Sequence, residues 1–145
     1  MRKLFEIATA FRAAIEEAVR AGELRELNTF PRGCCSYASD LLQRYLIEQY
    51  GFFTWYMSGR YGYGWDAESH AWLETEDRLV IDITGDQYAF KKSKFTEPVY
   101  IGSRTDGFHD KFELDEPVAY TRSEDHFGRN REFDRRYEAV IRHLG

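Results

Sequence analysis

Only two cysteines occur among the 145 residues, and they are adjacent, Cys34 and Cys35. One neighbouring pair excludes a disulfide-stapled scaffold and any four-thiolate zinc site. Proline is also scarce, at three residues, so there is no proline-rich linker, and no repeat or low-complexity tract is present. No apolar run approaches the ~20 residues that a membrane span requires. The apolar stretch near the N-terminus is interrupted early by Glu6 and Arg12, with no cleavage site after it, which argues against a secretion signal. A basic excess is lacking as well. Twenty Lys and Arg stand against 25 Asp and Glu, a formal charge of -5, which argues against nucleic acid as the main partner. These absences lead us to expect a single soluble domain over residues 1–145, cytoplasmic by default, because chains usually divide only well above ~200 residues.

Apolar side chains are plentiful. They make up 43% of the chain, enough for a core without a structural metal. Eleven Phe, ten Tyr and three Trp either fill that core or line a cleft. From Arg2 to Gly22, Leu4, Phe5, Ala8, Phe11, Ile15, Ala18 and Val19 recur at helical spacing, and Gly22 supplies a stop. Pro31 and Gly33 interrupt any regular element over residues 28–36. A second helix opens at Cys34 or Cys35 and runs to about Gln49, carrying Ala38, Leu41, Leu42, Tyr45 and Leu46 on one stripe and ending at Gly51. The period then changes to two. Strands are expected at 52–60, 69–74, 79–84 and 98–102, the middle two joined as an antiparallel hairpin by residues 75–78. The segment 103–131 reads as irregular, with a short strand near 118–120, and a last helix places Phe133, Tyr137, Val140, Ile141 and Leu144 together. Helices, then consecutive strands, then a helix define an α+β domain with a mainly antiparallel sheet.

Three features carry chemistry. A cysteine at a helix N-terminus meets orphan backbone N–H groups and the positive end of the helix dipole, which favour a thiolate. Gly33 allows close approach of backbone to a substrate, and Arg32 adds positive charge. His70 opens the strand Ser69-His-Ala-Trp-Leu-Glu74, in which His70, Trp72 and Glu74 share one face. Asp82 lies in the apolar run Val80-Ile-Asp-Ile-Thr84, where a carboxylate is costly to bury without a partner. A hairpin turn centred between Asp77 and Arg78 sets residue 82 opposite residue 73, so a small shift brings Asp82 to His70. Aspartate beside Nδ1 of that ring leaves its other nitrogen to exchange a proton with a thiol. His109, His126 and His143 lie in polar or helical surroundings and are weaker candidates.

Cys35 with the apolar positions that follow it, then Ser69-His-Ala-Trp-Leu-Glu74, then Val80-Ile-Asp-Ile-Thr84, resembles the transglutaminase-like branch of the papain-like superfamily. The resemblance covers roughly residues 31–87. It implies a papain-like fold and a Cys35–His70–Asp82 triad acting on an amide or acyl substrate. Counting six, seven, ten and eleven residues from Cys35 gives Leu41, Leu42, Tyr45 and Leu46, all apolar, whereas Cys34 gives a mixed set. Cys35 is therefore the expected nucleophile and Cys34 the alternative, the aromatic Tyr37 three residues on favouring the latter. The Cys35 backbone N–H, Gln87 and Trp72 are candidate oxyanion or substrate contacts, with Arg32 nearby.

The sequence thus points to a cysteine-dependent amide hydrolase or acyltransferase on a peptide or protein amide, with water the default acceptor. A catalytically inactive module of the same fold that binds a peptide or protein is the alternative. No metal or organic cofactor is expected, since adjacent cysteines with His70 chelate one ion poorly and lack a fourth ligand. Tyr61-Gly-Tyr-Gly-Trp65 reads as an aromatic lid and Lys91-Lys-Ser-Lys94 as a solvated basic cluster, and a third functional reading is an enzyme locked by its own N-terminal helix lying over the cleft.

Overall fold

The structure is a computed structural model describing residues 2–62, 68–88, 97–121 and 129–144. Residues 63–65 of the expected lid, the cluster at 91–94 and His126 lie outside the described residues. The chain runs α1 (Arg2–Arg20), α2 (Cys35–Tyr50), β1 (Trp55–Tyr61), β2 (Glu68–Glu74), β3 (Val80–Asp82), β4 (Tyr100–Gly102), β5 (Glu113–Leu114), β6 (Val118–Ala119) and α3 (Arg129–Ile141). The sheet order is β4-β3-β2-β1-β5, with β6 also on β1, and all pairings among the described residues are antiparallel. This is an α+β arrangement, as the order of periods indicated.

One sheet face meets the helices. Phe11, Ile15 and Ala18 of α1, Leu41, Leu42 and Leu46 of α2, and Tyr137 and Val140 of α3 close on Leu73, Ile81 and Ile83. Each fully buried side chain of this size contributes roughly 1.5–3 kcal/mol. The other face is a smaller aromatic cluster of Met57, Trp72, Val80 and Phe112, edged by Tyr100, Phe108 and Leu114. The alternation read in 69–74 holds: Leu73 turns to the helices and Trp72 to the second cluster. The N-terminal helix is a wall of the main core rather than a cover, because Phe11 and Ile15 are fully enclosed.

Three strand boundaries and the hairpin register differ from expectation. β1 starts at Trp55 and not at 52, since the Thr54 carbonyl accepts the Gln43 side-chain N–H at 3.0 Å and is committed to α2. β3 is only three residues long and β4 begins at Tyr100. The hairpin register pairs Leu73 with Ile81, one residue from the expected 73–82. Arg78 takes a left-handed φ of 65°, and Thr75 pairs with Leu79, so the loop has three residues with the last left-handed. The segment read as irregular holds a 3-10 turn at His109–Lys111 and two short strands against β1. Pro117 has no N–H to give and falls between those strands, which keeps them apart. Gly59 lets β5 approach: a Cβ there would stand 2.6 Å from the Glu113 carbonyl oxygen.

Candidate active site

Cys35 is the first residue of α2, where the leading backbone N–H groups have no intrahelical acceptor. Gly33, just before it, takes a φ of 69°, a left-handed conformation that glycine adopts without a Cβ penalty. Cys35 is half-buried and interacts with His70 of β2, the Ala71 backbone N–H and Gln87. Cys34 has a different environment. It is 1% exposed within the main core, and its thiol donates to the Arg32 carbonyl at 3.3 Å. Burial pushes the Cys34 thiol up, and the Thr29 contact only partly offsets it. Burial works against ionisation of Cys35 as well, but the His70 hydrogen bond and charge, the Ala71 N–H and Gln87 outweigh it and bring the thiol below its ordinary value.

His70 and Asp82 face each other across β2 and β3. One step past the Leu73–Ile81 pair, Asp82 stands level with Trp72 and reaches diagonally to the residue two before it. His70 Nε2 lies 2.7 Å from Asp82 Oδ2, and both side chains are wholly buried. The ring orientation is the reverse of the expected one: Asp82 takes Nε2, and Nδ1 faces Gln87 and the thiol side. Asp82 Oδ1 accepts the Thr84 backbone N–H at 2.9 Å. Burial alone would lower the pKa of His70, but the charge and hydrogen bond of Asp82, followed by those of Cys35, push it up to about 9. Burial would raise Asp82, yet His70 and His109 together hold it well below the usual carboxylate range.

Gln87 braces this pair. Its Oε1 accepts the Gly33 backbone N–H at 3.2 Å, which turns Nε2 to His70 Nδ1 at 2.7 Å. With Nε2 donating, His70 Nδ1 presents a lone pair, and Nε2–H of the ring donates to Asp82. Taking the thiol proton at Nδ1 makes this ring an imidazolium beside a thiolate, the ionised pair that the raised His70 and the lowered Cys35 favour. Once the proton has moved, the Gln87 amide N–H can turn to the thiolate, a contact already among those that favour ionised Cys35. The loop holding Gln87 is anchored from α1. Arg12 grips Asp86 with two bonds of 2.7 and 2.8 Å and donates to the carbonyls of Ile83 and Pro98.

The other expected contacts separate. Trp72 is wholly buried and its indole N–H donates to Glu74 Oε2 at 2.9 Å, so it is not an oxyanion donor. Glu74 is held in turn by Arg104 through two bonds of 2.7 Å. Arg32 is exposed, and its backbone carbonyl accepts the Cys34 thiol. The sequence reading passed over His109. Its Nε2 lies 2.7 Å from the same Asp82 Oδ2, and the residue is 0% exposed. The signal was there in Phe108, His109 and Phe112, an aromatic group within a polar stretch. The ligand atoms of His70, Asp82 and His109 lie within 4.8 Å of one another. Two contacts of 2.7 Å are hydrogen-bond separations, shorter than the roughly 3.3 Å between donors on a tetrahedral ion with ~2.0–2.1 Å bonds.

No protein-family model matches the chain, and neither a curated protein nor a solved structure is significantly similar to it. Among the described residues, no helix is long and apolar enough to cross a membrane.

Proposed function

We propose that the chain is a papain-like, transglutaminase-like cysteine enzyme that cleaves or transfers the acyl group of an amide in a peptide or protein. The observation that carries the reading is the meeting of Cys35, His70 and Asp82 from α2, β2 and β3, with His70 fixed at 2.7 Å on Asp82 and its other nitrogen turned to the thiol side. The thiol proton passes to His70 Nδ1, and the Cys35 sulfur attacks the carbonyl carbon. The Cys35 backbone N–H and the Gln87 amide are the donors for the resulting oxyanion. As the C–N bond breaks, His70 returns the proton to the leaving amine, leaving an acyl-thioester on Cys35. Water is the default second reactant: His70 takes its proton, the C–S bond breaks, and acid and thiol are released. Asp82 orients the ring and supports the imidazolium throughout. Both thiols are free, in keeping with a reducing, cytoplasmic setting.

The test is the pH dependence of iodoacetamide labelling at Cys34 and Cys35, resolved by mass spectrometry, in wild type and His70→Ala. Selective labelling of Cys35 with a midpoint below the free-thiol ~8.5, lost in His70→Ala, is the expected result. Labelling of Cys35 with an ordinary midpoint that does not respond to His70→Ala would remove the enzyme reading and leave a binding module of the same fold.

A further inference from the structure

Asp82 serves two rings. Both His70 Nε2 and His109 Nε2 stand 2.7 Å from the one oxygen Oδ2, while Oδ1 is held by Thr84. An ionised carboxylate only accepts, so each imidazole must donate its Nε2–H there. The segment that brings His109 is shaped around its ring. Tyr100 stacks on the imidazole with centroids 5.5 Å apart and an interplanar angle of 16°, Phe108 stacks at 4.4 Å, and Trp72 meets it edge-on at 4.9 Å. A Cβ on Gly107 would stand 2.7 Å from His109 Nδ1 and 3.0 Å from the Tyr100 ring, so only glycine leaves the ring its place. Arg104, from the same segment, fastens it to β2 through Glu74. Among the described residues, the titratable groups that face His109 include Asp82 of β3, His70 of β2 and Tyr100 of β4.

We propose that His109 is a positioning residue of this site: it holds the Asp82 carboxylate in plane and takes a share of the charge that otherwise falls on His70. The inference rests on the triad reading given above. With Thr84 on one oxygen and two rings on the other, the carboxylate has no freedom to rotate. Sharing Oδ2 between two donors also lessens the support that Asp82 gives the His70 imidazolium, which keeps the Nδ1 proton transferable to a leaving amine. A ring that filled space alone would need no donor aimed at a buried carboxylate.

The experiment is ring-nitrogen NMR of wild type, His109→Phe and His109→Gln across pH, with each of the four histidines assigned by substitution. In wild type, His109 carries its proton on Nε2. His109→Phe keeps the ring volume but removes the donor, and raises the proton affinity of His70 about tenfold, the worth of one hydrogen bond to a charged group. His109→Gln returns an N–H to the place of Nε2 and restores the wild-type midpoint. A wild-type His109 protonated only on Nδ1 overturns the proposal, and so does a metal found in stoichiometric amount with Nε2 of both rings bound to it. An unchanged or lowered His70 midpoint in folded His109→Phe overturns it too, and if that variant does not fold, the wild-type tautomer and His109→Gln decide. Should Cys35 labelling prove indifferent to His70, the enzyme reading falls, while the tautomer and the His70 midpoint still answer for His109.

Discussion

Replacing Asp82 by asparagine conserves volume and removes the charge on which two buried histidines converge. The amide nitrogen of the new side chain must face either the two ring N–H groups or the Thr84 backbone N–H, and either way donors meet donors in a dry place. Leaving a buried polar group unpaired costs about 1–3 kcal/mol. The larger effect depends on pH. His70 is raised from an ordinary 6.5 to about 9, chiefly against burial by Asp82, and this preference for the charged ring is worth roughly 3 kcal/mol. Because the folded value lies above the unfolded one, that stability is fully present below pH ~6.5 and is lost as pH rises through ~9. Asp82→Asn removes the larger part of it, leaving only the Cys35 contribution against burial. The stability gap between wild type and variant is therefore widest at pH 6 and narrows by up to roughly 3 kcal/mol toward pH 10. Urea unfolding at the two pH values reads this directly. Cys35 labelling in the folded variant gives a second measure, expected to move to a higher midpoint because its cationic partner is gone and burial remains. A gap of equal size at pH 6 and pH 10 would refute the reasoning, since it would mean that His70 draws no charge stabilisation from Asp82.

Two further predictions probe the supports of the site. Arg12→Met removes five side-chain hydrogen bonds, one to Glu16 within α1 and four that tie α1 to Asp86 and the carbonyls of Ile83 and Pro98. A loss of about 3 kcal/mol in urea unfolding is expected, at the low end for a broken buried pair because Asp86 keeps 20% exposure, and Cys35 labelling slows as the loop holding Gln87 loosens; a loss below about 1 kcal/mol would place that loop's anchor elsewhere. Gly59→Ala puts a Cβ 2.6 Å from the Glu113 carbonyl oxygen and displaces β5, so stability drops by about 1–3 kcal/mol and amide exchange quickens at Glu113 and Leu114. Unchanged protection there would contradict the close passage of β5.

The arrangement also explains why the acid–base pair is dry while the thiol is not. His70 and Asp82 are sealed on one side by Trp72, Phe108, His109 and Phe112, whose rings lie within 6.0 Å of the His70 ring or stack on its neighbour. Electrostatic interactions inside such a cluster are strong because little water screens them. Cys35 stands at a helix start and is half-buried.

Local patterns in the sequence were enough to place α1 and α2, the cysteine at the start of α2, Gly51 as its end, and the hairpin that carries His70 and Asp82. Each of these depends on neighbours within a few residues: apolar spacing, a left-handed glycine, a polar turn between alternating strands. The apolar stripe Leu41, Leu42, Tyr45 and Leu46 favoured Cys35 and Tyr37 favoured Cys34; the structure starts α2 at Cys35 and buries Cys34 in the core. Contacts between distant segments were out of reach of such patterns. His109 is 27 residues from Asp82, Gln87 is 54 from Gly33, and Asp86 is 74 from Arg12. The two-residue β5 carries too little period to be read and exists because β1 offers an unpaired edge, whereas β6 falls on the short strand expected near 118–120. Which ring nitrogen meets Asp82, and which amide and which second histidine complete the cluster, were decided by packing. The sequence by itself determined the elements and the chemistry they carry; the tertiary structure decided which of those groups share one buried volume, where a charge must find its partners or not form.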